Sequence, residues 1–451
     1  MRALAVGALL FFPTFAFAHA FGQQFTLPLP VAYYIVGGLM AFIASCLIIF
    51  AVGKPSRESA VRVHKTFTVH RVIPSILRFI GLLLLAGGIS AGIWGSPDYW
   101  INPLPNLFWI ILMLGFTYVS AIVSGLWNAI NPFKTIAKLI VEGSSRNLSH
   151  RVLAYLPTTV LFALLWLELF SAGLGARPIV LALVCVLYML VSIAGSYACG
   201  VEKWFREYDF FTVFFGLVGR LAPIEFSSDR ITISSPIARL SMDRAQHWGI
   251  LAFILMLLGS TVLDGLRETQ AWRDFLFALH SYGIPLGDYI GVIFLALIPA
   301  ILLGVYCLAI YLMGHVAHTT IPTREYYLRF AYSLVPIALA YHFAHYIGLL
   351  VSEGQRFIAQ ISDPYSFGWN LFGTADRAIN ITFVGADTVW YIQLSAIVIG
   401  HVIAAIVAHR IALAIFPQKN DAIKSQIPML VLMVGYTAFG LWTLSQPFVT
   451  G

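Results

Sequence analysis

The 451-residue sequence predicts an all-α polytopic membrane helix bundle, with about ten transmembrane helices behind a cleaved signal peptide. Three observations predict this fold class. The chain is 59% hydrophobic and only 10% charged, whereas soluble globular domains carry about 25% charged residues. Apolar runs of about 20 residues, the length that crosses a bilayer, recur along it. Its basic residues also fall in alternate loops, as expected when Lys and Arg hold loops on the cytoplasmic side. The formal charge of +7 therefore reflects membrane topology, and no nucleic-acid partner is expected.

Residues 1–18 read as a secretory signal. Arg2 is the positive start, Ala3 to Phe15 the apolar stretch and Ala16-Phe17-Ala18 a small-x-small cleavage site. A second such site, Ala18-His19-Ala20, comes at once after it. Cleavage after Ala18 makes His19 the new N-terminus, and its α-amine and imidazole together suit copper(II). Residues 19–451 are then one multi-pass domain in a bacterial inner membrane, with the lipid bilayer as its constant partner and its mature N-terminus in the periplasm.

Ten spans are predicted, near 31–52, 76–95, 106–127, 152–172, 178–199, 248–265, 293–313, 331–351, 388–408 and 427–447. With the first running outward to inward, the cytoplasmic loops hold 20 Lys and Arg and the periplasmic loops five. The run Phe210–Gly219 is too short to span and is expected to lie in the interface or re-enter. The stretches 266–287 and 352–386 are expected to cap the outward face. The four cysteines (Cys46, Cys185, Cys199 and Cys307) sit in apolar runs without CxxC spacing and read as small core residues.

The chemistry lies inside the spans. Tyr341-His342-Phe343-Ala344-His345-Tyr346 puts two imidazoles at i, i+3, on one face of the eighth span. Ionisable groups at that depth pair, coordinate an ion or line a wet cavity. Glu168 in the fourth span and Asp264 in the sixth are expected in the same outer half. His401 in the ninth is a further donor, level with His342 if its helix tilts. His315 and His318 form a second i, i+3 pair at the cytoplasmic mouth of the seventh span. His409, beside Arg410, is expected to snorkel, whereas His64, His70, His150 and His247 belong to solvated basic loops.

Imidazoles with a carboxylate match the ligand preferences of a transition metal: copper, zinc or iron. The candidate metal set is His342, His345, His401, His19, Glu168, Asp264, His315 and His318. Two alternatives stand beside it: haem ligation, for which two histidines on one helix cannot supply both axial ligands, and histidines serving only as hydrogen bonds between helices.

The opening His19-Ala20-Phe21-Gly22-Gln23 with Leu27-Pro28-Leu29-Pro30 resembles that of bacterial inner-membrane proteins labelled fenitrothion hydrolase. The resemblance continues through Ser124-Gly125-Leu126-Trp127-Asn128, Asn131-Pro132-Phe133 and Tyr341–Tyr346, covering most of the chain. It implies metal-dependent hydrolysis of an apolar organophosphate triester, and it assigns no catalytic residue. The other functions expected are a transporter or chaperone for copper or another transition metal, which would pass the ion from His19 through His342/His345 to His315/His318, and a haem or redox subunit with a membrane partner.

Overall fold

The computed structural model describes residues 65–141, 151–284, 287–317, 323–380, 383–416 and 418–445, with a few isolated positions between 36 and 47. The signal segment, His19, His64, His150 and His318 lie outside the described residues, as does nearly all of the first predicted span.

Nine helices among the described residues are long and apolar enough to cross a bilayer. They are α1 (Val72–Trp94), α2 (Pro103–Ile122), α5 (Leu156–Leu169), α6 (Pro178–Cys199), α10 (Trp248–Arg267), α12 (Gly287–Val316), α14 (Val335–Gln360), α15 (Ala386–Ile415) and α16 (Lys419–Ser445). The chain is a multi-pass membrane protein, and these helices match nine of the ten predicted spans. Short helices connect them: α3 (Leu126–Ile130), α4 (Pro132–Ile140), α7 (Val201–Glu207), α8 (Phe210–Val218), α9 (Pro236–Met242), α11 (Gln270–Ser281) and α13 (Thr323–Phe330).

Proline and asparagine set several starts. Pro178 and Pro336 open α6 and α14, where the missing amide costs nothing. Asn131 caps α4 by accepting from the Lys134 amide at 3.0 Å, with Pro132 next in the chain.

The innermost span is α10. Every residue from Phe253 to Gly265 is buried, as expected for a helix that is apolar all round and enclosed by others. Gly259 lets it approach Pro299 of α12, because a Cβ there would come within 2.8 Å of the proline ring. In contrast, α1 and α6 expose Phe79, Leu83, Leu183 and Leu187, the apolar surface that hydrocarbon covers.

Two features depart from the sequence expectation, and a third narrows it. A small four-stranded sheet, ordered β1-β4-β3-β2, joins three loops at one end of the bundle. Its strands are β1 (Lys65–Thr68), β2 (Val123–Ser124), β3 (Ile224–Phe226) and β4 (Arg230–Ile233). The β1–β4 and β3–β4 pairs are antiparallel and β2–β3 parallel, with Thr66 opposite Thr232 and Val123 opposite Ile224. Second, the packing of α8 selects between the two placements expected for it: Phe210, Phe211, Val213, Phe214, Phe215, Leu217 and Val218 are buried, which fits re-entry into the bundle, and only its Thr212 and Gly216 side is less covered. An interfacial helix would keep a polar face toward water. Third, α14 continues to Gln360, so the first part of the 352–386 stretch is helix. The remainder folds over the opposite end from the sheet, where Gln360 donates to the Trp100 carbonyl at 2.9 Å and Ser90 bonds the Tyr365 hydroxyl at 2.7 Å.

Gly125 makes the turn after α2 possible. It sits at φ 77°, and a Cβ there would stand 2.2 Å from the Phe226 carbonyl oxygen. Only glycine adopts that backbone without cost while the neighbouring strand passes so close.

Candidate functional site

Asp264 stands near the end of α10 with no exposed surface. Its Oδ2 accepts from the Tyr346 hydroxyl at 2.7 Å and lies 2.9 Å from His345 Nε2. Both partners come from α14, so one carboxylate ties two successive residues of the neighbouring helix. The His345 and Asp264 side chains are 2% and 0% exposed, which makes this a deeply buried ion-pair geometry. Such a pair lacks water's help and depends on its own hydrogen bonds.

His342 lies one turn earlier. Its Nδ1 is hydrogen-bonded to the Tyr118 hydroxyl of α2 at 3.1 Å. The Tyr346 ring packs between the two imidazoles, with centroids 4.8 Å from His342 and 4.6 Å from His345. Four buried polar side chains of α14 and α10 and one tyrosine of α2 thus form a continuous cluster. Glu168 of α5 is half-buried and close enough to act electrostatically on Tyr346.

The backbone of α2 helps to place Tyr118. Residues Asn106–Gly115 form a π-helix before the α-helical turn that carries Tyr118. The wider π geometry rotates that turn from the position a plain α-helix would give it, and such segments recur at functional sites.

The remaining candidates lie elsewhere. His401 bonds the Met433 carbonyl of α16 at 3.1 Å through Nε2, and its ring also meets the Thr437 hydroxyl. It lines a separate small cavity with Tyr341 and Tyr436. Tilting does not bring it to His342, because its ring is turned toward α16. His315 is exposed at the end of α12, its ring parallel to that of Tyr311. His409 does not snorkel: it is fully buried and bonds Gln426 at 3.0 Å through Nδ1. His247 closes an exposed basic loop, as the N-cap residue of α10. It is half-buried at the start of α10, and burial holds its imidazole below the ordinary value.

Among the described residues, no three His, Cys, Asp or Glu side chains converge closely enough to hold a metal ion. One nitrogen of His345 is already engaged by Asp264 and one of His342 by Tyr118. His19, the further donor expected from the sequence, lies outside the described residues.

No family model, curated protein or solved structure matches this chain. Its chemistry rests on its own residues.

Two participants were not singled out from the sequence. Tyr346 lies inside the Tyr341–Tyr346 motif, and its hydroxyl is the available signal, since a buried phenol needs a partner. Tyr118 carries no local signal, because its partner is 224 residues away.

Proposed function

We propose that this chain is an ion-translocating membrane protein whose protonatable centre is Asp264, His345 and Tyr346. The observation that carries the reading is the wholly buried Asp264 Oδ2, 2.9 Å from His345 Nε2 and 2.7 Å from the Tyr346 hydroxyl. A proton passes between Asp264 and His345 along that first bond, while Tyr346 stabilises the carboxylate when the proton leaves. Carboxylates and imidazoles inside spans are costly and typically mark ion pathways and proton relays. The cargo that fits these donors is a cation, a transition-metal ion included, because imidazole and carboxylate must lose protons to bind one.

The test is proton flux into proteoliposomes carrying a trapped pH dye, with copper(II), zinc or no metal outside. The wild type is expected to move protons, and Asp264→Asn and His345→Gln to reduce the flux at least tenfold while remaining folded. Flux equal in all three proteins, or absent from the wild type under every condition, rejects the reading.

A second reading is a membrane metal-dependent phosphotriester hydrolase. It draws support from the residues of the fenitrothion hydrolase resemblance, because Tyr341–Tyr346 contains both imidazoles. Each of these rings is also oriented by a protein partner, as metal-ligating histidines usually are. This reading needs His19 or another undescribed donor to complete the ligand set. Metal bound per purified protein separates the two: a stoichiometric, non-exchanging ion lost in His342→Ala favours the hydrolase.

A further inference from the structure

The stretch after α14 carries an exposed apolar surface that neither the intramembrane cluster nor the core uses. Residues 364–375 hold no charged side chain. The rings of Tyr365, Phe367 and Trp369 pack on one another, with centroids 5.4 to 5.8 Å apart. Phe367 and Phe372 are 64% and 66% exposed, and Trp369 and Leu371 are exposed as well. Contiguous apolar surface of this kind marks a place of contact with a protein or a membrane.

The backbone beneath these side chains is satisfied from within. The Asp363 carboxylate accepts the Phe367 and Gly368 amides at 2.9 and 2.8 Å, and its carbonyl accepts that of Ser366. Ser362 accepts the Leu371 and Phe372 amides, and its hydroxyl bonds that of Thr374 at 2.7 Å. Thr374 in turn donates to the Ile358 carbonyl of α14 at 2.8 Å. Ser366 stands at φ 60°, a left-handed conformation uncommon outside glycine, and these bonds hold it there. A turn washed by water has no need of so many internal partners, whereas one entering an apolar medium requires them.

Its depth follows from Tyr365, whose hydroxyl meets that of Ser90 on α1 at 2.7 Å. Ser90 gives its own proton to the Gly87 carbonyl, so the phenol is the donor. Ser90 precedes the end of α1 at Trp94 by four residues, which is about 6 Å along the helix axis. The 23 residues of α1 extend about 34 Å, against a hydrocarbon core of about 30 Å. Ser90 therefore lies at the margin of the hydrocarbon, and the turn bonded to it returns to that depth. Ile93 and Trp94 at the same helix end are exposed too, which continues the lipid-facing surface of α1 toward the turn. Uncharged surface rich in Tyr and Trp is what membrane proteins place at headgroup level.

We propose that residues 365–372 form a membrane anchor, seated in the adjoining leaflet at the boundary between headgroups and hydrocarbon.

The experiment uses the full chain in phosphatidylcholine liposomes, with its four native cysteines replaced by alanine. A nitroxide label is attached at Phe367→Cys and, separately, at Phe372→Cys. Leu83→Cys, exposed on α1, is the hydrocarbon reference, and Ser228→Cys, exposed between β3 and β4, the aqueous one. Collisions with oxygen, which concentrates in lipid, and with a water-soluble nickel chelate on both sides of the membrane are measured by electron paramagnetic resonance. At both turn positions oxygen collisions are expected to exceed chelate collisions, as at Leu83→Cys and opposite to Ser228→Cys. Adding Trp369→Asp to the Phe372→Cys protein is expected to raise its chelate collisions several-fold, because a carboxylate is driven to water. Chelate collisions in excess at both turn positions put the turn in water and overturn the proposal. A label shielded from both probes shows that protein, a second copy of the chain or another, covers the patch, and overturns it too.

Discussion

Asp264 shows how one side chain can organise a membrane core. Its Oδ2 serves two partners on α14, His345 and Tyr346, so removing it strands an imidazole and a phenol together. Breaking one side of a buried charge pair costs roughly 3–5 kcal/mol, whereas replacing both members with apolar groups is often close to neutral. Asp264→Ala is therefore expected to lower stability by about 3 kcal/mol or more, and the double change Asp264→Leu with His345→Leu to recover most of it. Denaturant titration in detergent measures both. A double variant that costs the sum of the two single variants would show that the pair is not coupled. His409 obeys the same logic on a smaller scale. Histidine at the end of a span is free to snorkel only where nothing nearer satisfies it, and here Gln426 does so at 3.0 Å.

Among the elements, the link between α4 and α7 is electrostatic. Glu202 of α7 receives Lys138 at 2.7 Å and Lys134 at 2.9 Å, both from α4. Hydrogen bonds from Lys138 and Lys134 hold its carboxyl down to about 2, below the usual carboxylate value of about 4.3. A depressed carboxyl contributes stability that is complete above its unfolded pKa and is lost as pH falls through its folded pKa. The sensitive window thus runs from about 4.5 down to about 2. Because the Glu202 side chain is 65% exposed, solvent screening limits the contribution to under about 1 kcal/mol. Melting temperature measured from pH 5 to pH 3 should fall more steeply for the wild type than for Glu202→Gln. Parallel curves would remove the clamp.

The spans were legible in the sequence because hydrocarbon imposes a length and a composition that a run of residues cannot hide. The sheet was not, since strands of two to four residues show no alternation over a useful window. The re-entry of α8 was half legible: its length excluded a span, but only packing distinguishes burial in protein from burial in lipid. Within the candidate site, the i, i+3 spacing of His342 and His345 could be read locally. Their partners could not, because Tyr118 and Asp264 lie on helices 224 and 81 residues away in the chain.

At the scale of the whole molecule, the sheet joins the segments before α1, after α2 and after α8, so those segments share one side of the membrane. The segments around Trp100 and Tyr365 meet at the other side. Reporter fusions at Ser228 and Asp421 are expected to read cytoplasmic, and fusions at Pro97, Gln270 and Ser366 periplasmic. Two or more reversed sites would break the topology inferred from the basic residues.

The strand order also imposes a wait during synthesis. β1 begins at Lys65, yet its partner among the described strands, β4, begins at Arg230. Ribosomes add about 5–20 residues per second, so β1 stays unpaired for roughly 10–30 s while helices α1 to α8 are made and inserted. An exposed strand in that interval is open to pairing with another nascent chain, and short, charged strands resist this. Lys-Thr-Phe-Thr, four residues opened by a lysine and exposed throughout, is a segment that can wait without sticking.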